Sequence, residues 1–247
     1  MSDIFFEGSA AEFIQLEGTY ATQEINIVHA TNQLNETIAL LSQPWGGLNE
    51  ARRWGSTILP TLVASRLALG PQTVVDFGGG AAKQYVEIAK VVGPELAAQL
   101  HYHVVETPEF VQLAAPWMAK LFAAEHGKTL FLSDGALPAK ADIVSCTSSL
   151  HYLPDFKAKL RELLACGPEL FLIINTPIND RHTYSRIQNN LAVRIAQWVF
   201  GIDDLDREFG AAGYRRVFRA RHDLAYPTSG TPEGSETHFS ALIYAKT

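Results

Sequence analysis

Three carboxylates stand where they could meet one small ligand: Asp76, Glu106 and Asp134. Each closes a short apolar run and leads into a turn, in Asp76-Phe77-Gly78-Gly79-Gly80, Glu106-Thr107 and Ser133-Asp134-Gly135. In open α/β sheets ligands bind outside the carboxyl ends of the strands, so acids at those ends read as ligand contacts. A carboxylate after the second strand can accept hydrogen bonds from both hydroxyls of a ribose. An acid after the third can accept from an adenine amino group. The first suits the neighbourhood of a positively charged amino-acid ligand. A pyrophosphate would be repelled by so many carboxylates.

The turn after Asp76 adds a second kind of chemistry. Val74-Val75-Asp76 reads as a buried strand, and the glycines after it permit backbone shapes and close approach that side chains would block. A helix-forming segment, Lys83 to Val92, follows. Strand, glycine turn and helix N-terminus in that order make a nucleotide-type pocket. Beyond a fourth strand lie Thr147-Ser148 and then His151, whose ordinary pKa near neutrality suits it to proton transfer. Asp180, Arg181, Tyr184, Arg186 and Gln188 cluster polar groups in a later insertion, and an arginine there could hold an anionic acceptor through two parallel hydrogen bonds.

These residues need a frame. From residue 73 the chain alternates strand and helix: strands are expected at 73–77, 101–106, 129–133, 142–147 and 169–175, with helices at 83–92, 108–126 and 155–165. Such alternation implies a doubly wound α/β fold with helices on both faces. Strands at 214–222 and 237–246 complete a seven-stranded, mostly parallel sheet. The link between them holds no helical pattern, so the last strand is expected to be antiparallel. Two domains are expected: a helical extension or lid over 1–70, and the sheet domain over 71–247 with a helix-rich insertion at 176–201. Within the extension, helices are expected at 10–16, 22–41 and 50–69. Ile27, Thr31, Leu34, Ile38 and Leu41 fall on one face of the second. Leu191, Ile195, Trp198 and Ile202 share the spacing of an apolar helix face, a surface for the core or for a homodimer contact. Asp203 or Asp204 is expected to cap the next helix.

Composition narrows the class. The chain has 247 residues, 47% hydrophobic and 19% charged, with a net charge of −6. That length buries a full core without metal or disulfide support. The acidic balance argues against a nucleic-acid partner. Cys146 and Cys166 read as core thiols in a reducing compartment. The absence of a basic, apolar leader and of a long apolar run points to a cytoplasmic protein without membrane contact.

The segment Asp76-Phe77-Gly78-Gly79-Gly80, with Glu106, Asp134, the stretch Ser148-Ser149-Leu150-His151-Tyr152-Leu153-Pro154-Asp155 and the antiparallel finish, resembles the class I S-adenosylmethionine-dependent methyltransferases. The resemblance covers about residues 72–247. It implies a Rossmann-like fold, S-adenosylmethionine as cofactor and a small-molecule acceptor, such as a sugar or glycan precursor. It implies that Asp76, Phe77, Gly78, Gly79 and Gly80 line the methionine end of the cofactor. It puts Glu106 and Thr107 at the ribose, Asp134 and Gly135 near the adenine, and Thr147 and Ser148 at the pocket wall. More narrowly, the chain is similar to a methyltransferase-like family with Phe-Gly-Gly-Gly in its first loop and a Thr-Pro-x-x-Asp-Arg stretch after the fifth strand. Thr176-Pro177-Ile178-Asn179-Asp180-Arg181 is the counterpart here. One departure stands out: the usual loop has a further glycine where this chain has Ala82.

Methyl transfer from a sulfonium needs alignment, exclusion of water and, for some acceptors, a base. His151 is the candidate base; the alternative is that it only shapes the pocket. Metal-dependent relatives would need acids after the fourth and fifth strands, where this chain has Thr147-Ser148 and Asn175-Thr176, so no metal is expected. His101 and His103 share a strand face without a further ligand. Two rival functions remain at this level: an NAD(P)-dependent oxidoreductase, weakened by Lys83 in place of the last glycine of Gly-x-Gly-x-x-Gly, and a methyltransferase-like binding protein without turnover.

Overall fold

The computed structural model describes residues 4–16, 24–41, 57–122, 129–190, 193–221, 228–230 and 237–247. Five parallel strands form the centre: β2 (Gln72–Phe77), β3 (Leu100–Val105), β4 (Leu130–Ser133), β5 (Ile143–Thr147) and the first half of β6 (Leu170–Asn179). They lie in the order β4-β3-β2-β5-β6. Beyond β6 comes β11 (Thr237–Lys246), antiparallel both to β6 and to β9 (Tyr214–Arg221). The core is thus the expected seven-stranded sheet with one reversed strand.

Side chains alternate across this sheet as the two-residue period of a strand requires. Val74, Tyr102, Val104, Leu172 and Ile174 pack into one core with α2 (Ile58–Leu67), α3 (Lys83–Val92) and α5 (Pro108–Phe122), the short α4 (Pro94–Ala97) lying between the last two in the chain. Val75, Val105, Val144, Phe171 and Ile173 face the other way, against α6 (Phe156–Ala165) and α7 (Ile202–Ala211). Each such fully buried aliphatic or aromatic side chain is worth about 1.5–3 kcal/mol relative to exposure. Consequently the strand ends, and the loops that leave them, are held in fixed positions.

The insertion departs from expectation. The described residues of 176–201 contain no helix. β6 runs on to Asn179, and β7 (Tyr184–Asn190) and β8 (Val193–Gly201) form an antiparallel pair. β8 joins β6 at Ile178 and Asn179, on the side that β5 has vacated. The run Ala196 to Phe200 is buried on both faces, so its apolar residues do not alternate, and a short continuous run of that kind fits helix and strand equally by spacing. Pairing decides: β7 also takes β1 (Ile4–Ala10) on its outer edge, which in turn carries β10 (Thr228–Ser229).

The N-terminal region is likewise not all helix. Ile4–Ala10 is a strand, and residues 11–16 form no helix. α1 (Glu24–Leu41) is present, but its buried face is Ala30, Leu34, Thr37 and Leu40, while Thr31 and Ile38 are exposed. The expected break at 44–47, the first part of the 50–69 helix, and Leu191 lie outside the described residues. Before α7 the cap is Gly201 rather than an aspartate; Asp204 accepts instead from the Thr183 amide at 2.8 Å. Among the described residues no helix is long and apolar enough to cross a membrane.

Candidate active site

The carboxyl ends of β2, β3 and β5 converge on the glycine loop. β2 ends at Phe77, and the Gly78 amide extends its ladder by donating to the Val105 carbonyl at 2.8 Å. Gly78 and Gly80 take positive φ angles of 72° and 56°. The loop is also crowded from outside. A Cβ on Gly78 would strike the Ser149 side chain, and one on Gly79 would lie 2.5 Å from Asp76 Oδ2. Ala82, at the position of the missing glycine, has φ 56° and ψ 32° and is fully buried. The chain therefore keeps the left-handed backbone that glycine adopts freely and holds an alanine in it, at a cost of about 1–2 kcal/mol.

Asp76 lies beneath the loop. It is fully buried, and the Tyr102 hydroxyl donates to its Oδ2 at 2.6 Å, while Oδ1 has no partner. Burial pushes its pKa up to about 7, the Tyr102 hydrogen bond opposes that rise, and the nearby Glu106 charge adds to it. Glu106, after β3, accepts from the Gly80 amide at 2.8 Å and from the Thr107 amide at 3.1 Å. Desolvation raises its pKa, and those two backbone donors hold the rise back. The Thr107 hydroxyl accepts from the Phe110 amide at 3.3 Å, the bond of a helix cap at the start of α5. Asp134 is exposed on the bend after β4, beside Gly135 at φ 141°.

Just beyond β5, and within β6 where β5 leaves it, the backbone is strained. Ser148 and Asn175 both have positive φ, 54° and 50°, and Asn175 Nδ2 donates to Ser148 Oγ at 2.5 Å. Left-handed conformations in residues other than glycine collect at functional sites, where the surroundings hold them. Gln84 at the start of α3 donates to Thr147 Oγ1 at 3.2 Å, and Ser149 Oγ donates to the Phe77 carbonyl at 2.7 Å, tying the end of β5 to the glycine loop. Phe77 itself packs at the edge of the α6 core, with Lys159 Nζ 5.7 Å from its ring centroid.

His151 sits in a short 3-10 turn, Leu150–Tyr152, directly after these residues. It is fully buried, neither ring nitrogen has a hydrogen-bond partner, and its ring packs 4.1 Å from that of Tyr152. Burial, helped by the Arg186 charge, pushes its pKa down to about 3, so the imidazole is neutral in this state at ordinary pH. Tyr152 Oη donates to Gln188 Oε1 at 3.0 Å and so joins this turn to β7.

The five candidate acceptor residues separate into two groups. Tyr184, Arg186 and Gln188 alternate along β7 and share a face, by strand geometry. Asp180 and Arg181 lie on the exposed turn before β7, where Asp180 accepts from Arg219 at 2.7 Å and Arg221 at 2.8 Å. Several residues in the site were not singled out from sequence: Tyr102, Gln197, Phe6 and the α1 residues over the loop. Thr37 Oγ1 donates to the Ala81 carbonyl at 3.2 Å, and the side chain of Gln33 fills the space a Cβ on Gly80 would need. Tyr102 was detectable in principle, since register places it opposite Val74 on the inward face of β3. Phe6 depends on a strand pairing that spans most of the chain, and Gln197 on the pairing of β7 with β8, in a stretch whose spacing fits a helix equally. His101 and His103 stack on Phe131, and among the described residues no three His, Cys, Asp or Glu side chains cluster as a metal site.

No protein-family model matches the chain, and no curated protein matches its sequence. Solved structures do. Magnesium protoporphyrin IX methyltransferase from Synechocystis PCC 6803, with bound SAH, aligns at TM-score 0.54 and 13% identity over 90% of this chain and 98% of that one. The [4+2]-cyclase SpnF aligns at 0.55 and 13%, over 95% and 98%. The 1,6-didemethyltoxoflavin-N1-methyltransferase of Burkholderia thailandensis, with bound 1,6-didemethyltoxoflavin and S-adenosylhomocysteine, aligns at 0.50 and 14%, over 95% and 94%. The fold is the Rossmann-like methyltransferase fold. SpnF shares it under the name of a cyclase, so the fold by itself does not fix the reaction.

Proposed function

We propose that the protein is an S-adenosylmethionine-dependent methyltransferase that acts on a small-molecule acceptor by direct displacement, without a metal. The observation that carries this reading is the tie between Gly80 and Glu106, which sets a half-buried carboxylate against the glycine loop at adjoining strand ends. The donor set fits the cofactor: Asp76 and Glu106 are acids at the first two strand ends, suited to a cationic ligand with a ribose diol. When bound, S-adenosylmethionine supplies a methyl group on a positively charged sulfur. Glu106 and Thr107 would hold the ribose and Asp134 with Gly135 the adenine. Asp76 and the Phe77 to Gly80 loop would shape the methionine end, and Thr147 and Ser148 the wall beside it. α1, through Thr37 on Ala81, would exclude water from above.

His151 would take the proton of the accepting atom. Its depressed pKa keeps the imidazole neutral and so open to a proton, but also makes it a weak base in the closed state. The acceptor is a small molecule; a sugar or glycan precursor suits the polar face of β7. The narrower Phe-Gly-Gly-Gly family resemblance is consistent with this reading and names no acceptor.

Calorimetry of the full chain with S-adenosylhomocysteine and with NAD tests the cofactor: binding of the first alone is expected, and binding of NAD alone would overturn the reading. A second reading, ligand binding or another reaction on the same fold, is favoured by the weak base and by the cyclase that shares the architecture. Transfer of a labelled methyl group to any acceptor decides against it.

A further inference from the structure

Polar groups without partners gather where β7 and β8 face the turn after β5. Arg186 and Gln197 stand directly opposite each other in the β7–β8 register, so their side chains emerge on one face. Arg186 is 1% exposed and Gln197 0%. Arg186 Nε and Nη2, and both amide atoms of Gln197, have no hydrogen-bond partner, and neither do the ring nitrogens of His151. Gln188, two residues along the same face from Arg186, is bonded to Tyr152, the neighbour of His151. The guanidinium is close enough to His151 to depress its basicity.

Such an arrangement is costly for a fold that does nothing with it. An unsatisfied buried polar group, and still more a buried charge without a counterion, takes up a substantial share of the small net stability of a fold. Among the described residues no ion pair includes Arg186. Its guanidinium carbon lies 3.7 Å above the Phe6 ring, which compensates it in part but supplies no negative charge. Burial pulls the guanidinium pKa down to about 10, the direction expected of a cation that lacks its anion.

We propose that Arg186 and Gln197 anchor a carboxylate on the acceptor and set that acceptor beside His151. This rests on the methyltransferase reading for the identity of the occupant as an acceptor. A single guanidinium in apolar surroundings neutralises a monoanion; a phosphate dianion would leave one charge buried without a partner. The planar fork of Arg matches a carboxylate edge, and the Gln197 amide supplies a further donor. The carboxylate is the handle and not the methylated atom, since an oxygen paired to arginine is the poorer nucleophile. Its negative charge also favours the protonated form of the adjacent imidazole, so binding strengthens His151 as a base. All three groups are closed from solvent, so entry requires the cover to part, and Phe6 is the part of the cover that touches the anchor.

The test is calorimetry on the full chain, with and without S-adenosylhomocysteine, using matched probes: benzoate against benzamide, glucuronate against glucose, and inorganic phosphate. The anchor predicts that one or both carboxylates bind at least about tenfold tighter than their neutral partners, the affinity lost with one charge-assisted pair. The two pairs separate an aromatic carrier from a sugar carrier. In Arg186→Gln that preference should vanish while S-adenosylhomocysteine affinity is unchanged, which also reports that the variant is folded. Arg186→Lys, keeping charge but not the fork, should retain a reduced preference. Equal binding of charged and neutral probes, no carboxylate binding, tighter binding of phosphate, or a preference that survives Arg186→Gln would overturn the anchor. Should neither variant fold, the wild-type pairs decide. Failure of S-adenosylhomocysteine to bind the wild type overturns the donor reading instead, and the carboxylate titrations without it still judge the anchor.

Discussion

The Gly80 amide donates to Glu106 Oε1 across 2.8 Å, so the acid that would hold the ribose also fixes the loop that would face the methionine end. Replacing Glu106 with Ala removes both functions at once. Loss of charge-assisted hydrogen bonds of this kind corresponds to about 10- to 100-fold in affinity for S-adenosylhomocysteine. Glu106→Gln keeps an amide oxygen for Gly80 and should lose less. Calorimetry on both variants reads the difference; undiminished binding in Glu106→Ala would place the ribose elsewhere.

Ala82 is held at φ 56° with its methyl fully buried. Glycine there removes the left-handed strain, worth about 1–2 kcal/mol, and gives back part of that through the greater entropy of the unfolded chain. Ala82→Gly is therefore expected to stabilise the protein by about 0.5–1 kcal/mol in urea unfolding. Ala82→Val should do the reverse, because a branched side chain fits that backbone worse. A destabilised glycine variant would mean that methyl packing outweighs backbone strain at this position.

The legible parts of the fold are those with local signals. Strands β2 to β6 each end near a turn residue or an acid, and the helices between them carry their apolar faces at helical spacing, so both the sheet and the acids at its ends could be read from the chain. The β7–β8 pair could not. Trp198, Val199 and Phe200 are buried whichever face they present, because β8 is covered on one side by Phe156 and Phe13 and joined at its end to β6. Periodicity disappears when both faces are buried. β1 was lost for a related reason: its partner, β7, lies some 180 residues along the chain, with Phe6 opposite Gln188. The site was legible in the same proportion. Asp76 and Glu106 meet at the loop through neighbouring strand ends, whereas Arg186 meets Gln197 only once β7 and β8 pair as strands, and meets Phe6 only through the long-range pairing of β1.

Asp180 and Arg186 were indistinguishable as acceptor ligands by sequence, and their surroundings now set them apart. Asp180 is exposed; partial burial is the largest single influence on its pKa and raises it, but its pairs with Arg219 and Arg221 together hold it below the usual carboxylate value. Exposed pairs of this kind contribute about 0–1 kcal/mol. Asp180→Ala should accordingly change the unfolding midpoint little and leave acceptor turnover intact, whereas Arg186→Gln should abolish turnover with any carboxylate acceptor. Steady-state methyl transfer by the two variants compares them, and a large loss of turnover in Asp180→Ala would return the turn before β7 to the site.

Asp76 and His151 drive stability in opposite directions over the same pH range. Asp76 has its folded pKa raised from 3.8 to about 7, by burial first and by Glu106 in addition, against the Tyr102 hydrogen bond. A raised folded value means that its contribution is fully present below pH 3.8 and is lost as pH climbs through 7. His151 has its folded pKa lowered from 6.5 to about 3, by burial and then by Arg186. Its unfolded form takes up a proton that the folded form refuses, so stability falls as pH drops from 6.5 towards 3. Between 3.8 and 6.5 the folded state gains one proton through Asp76 and forgoes one through His151, and their slopes cancel. Each slope alone is about 1.4 kcal/mol per pH unit. Asp76→Asn, which keeps an oxygen for Tyr102, should make stability rise with pH across this window, and His151→Phe should make it fall. Every other titrating group is common to the two variants, so the difference between their slopes, about 2.7 kcal/mol per pH unit, isolates these two residues. Urea unfolding of both proteins at intervals from pH 4.5 to 6.5 measures it, and parallel profiles would show that neither side chain is held in its stated form.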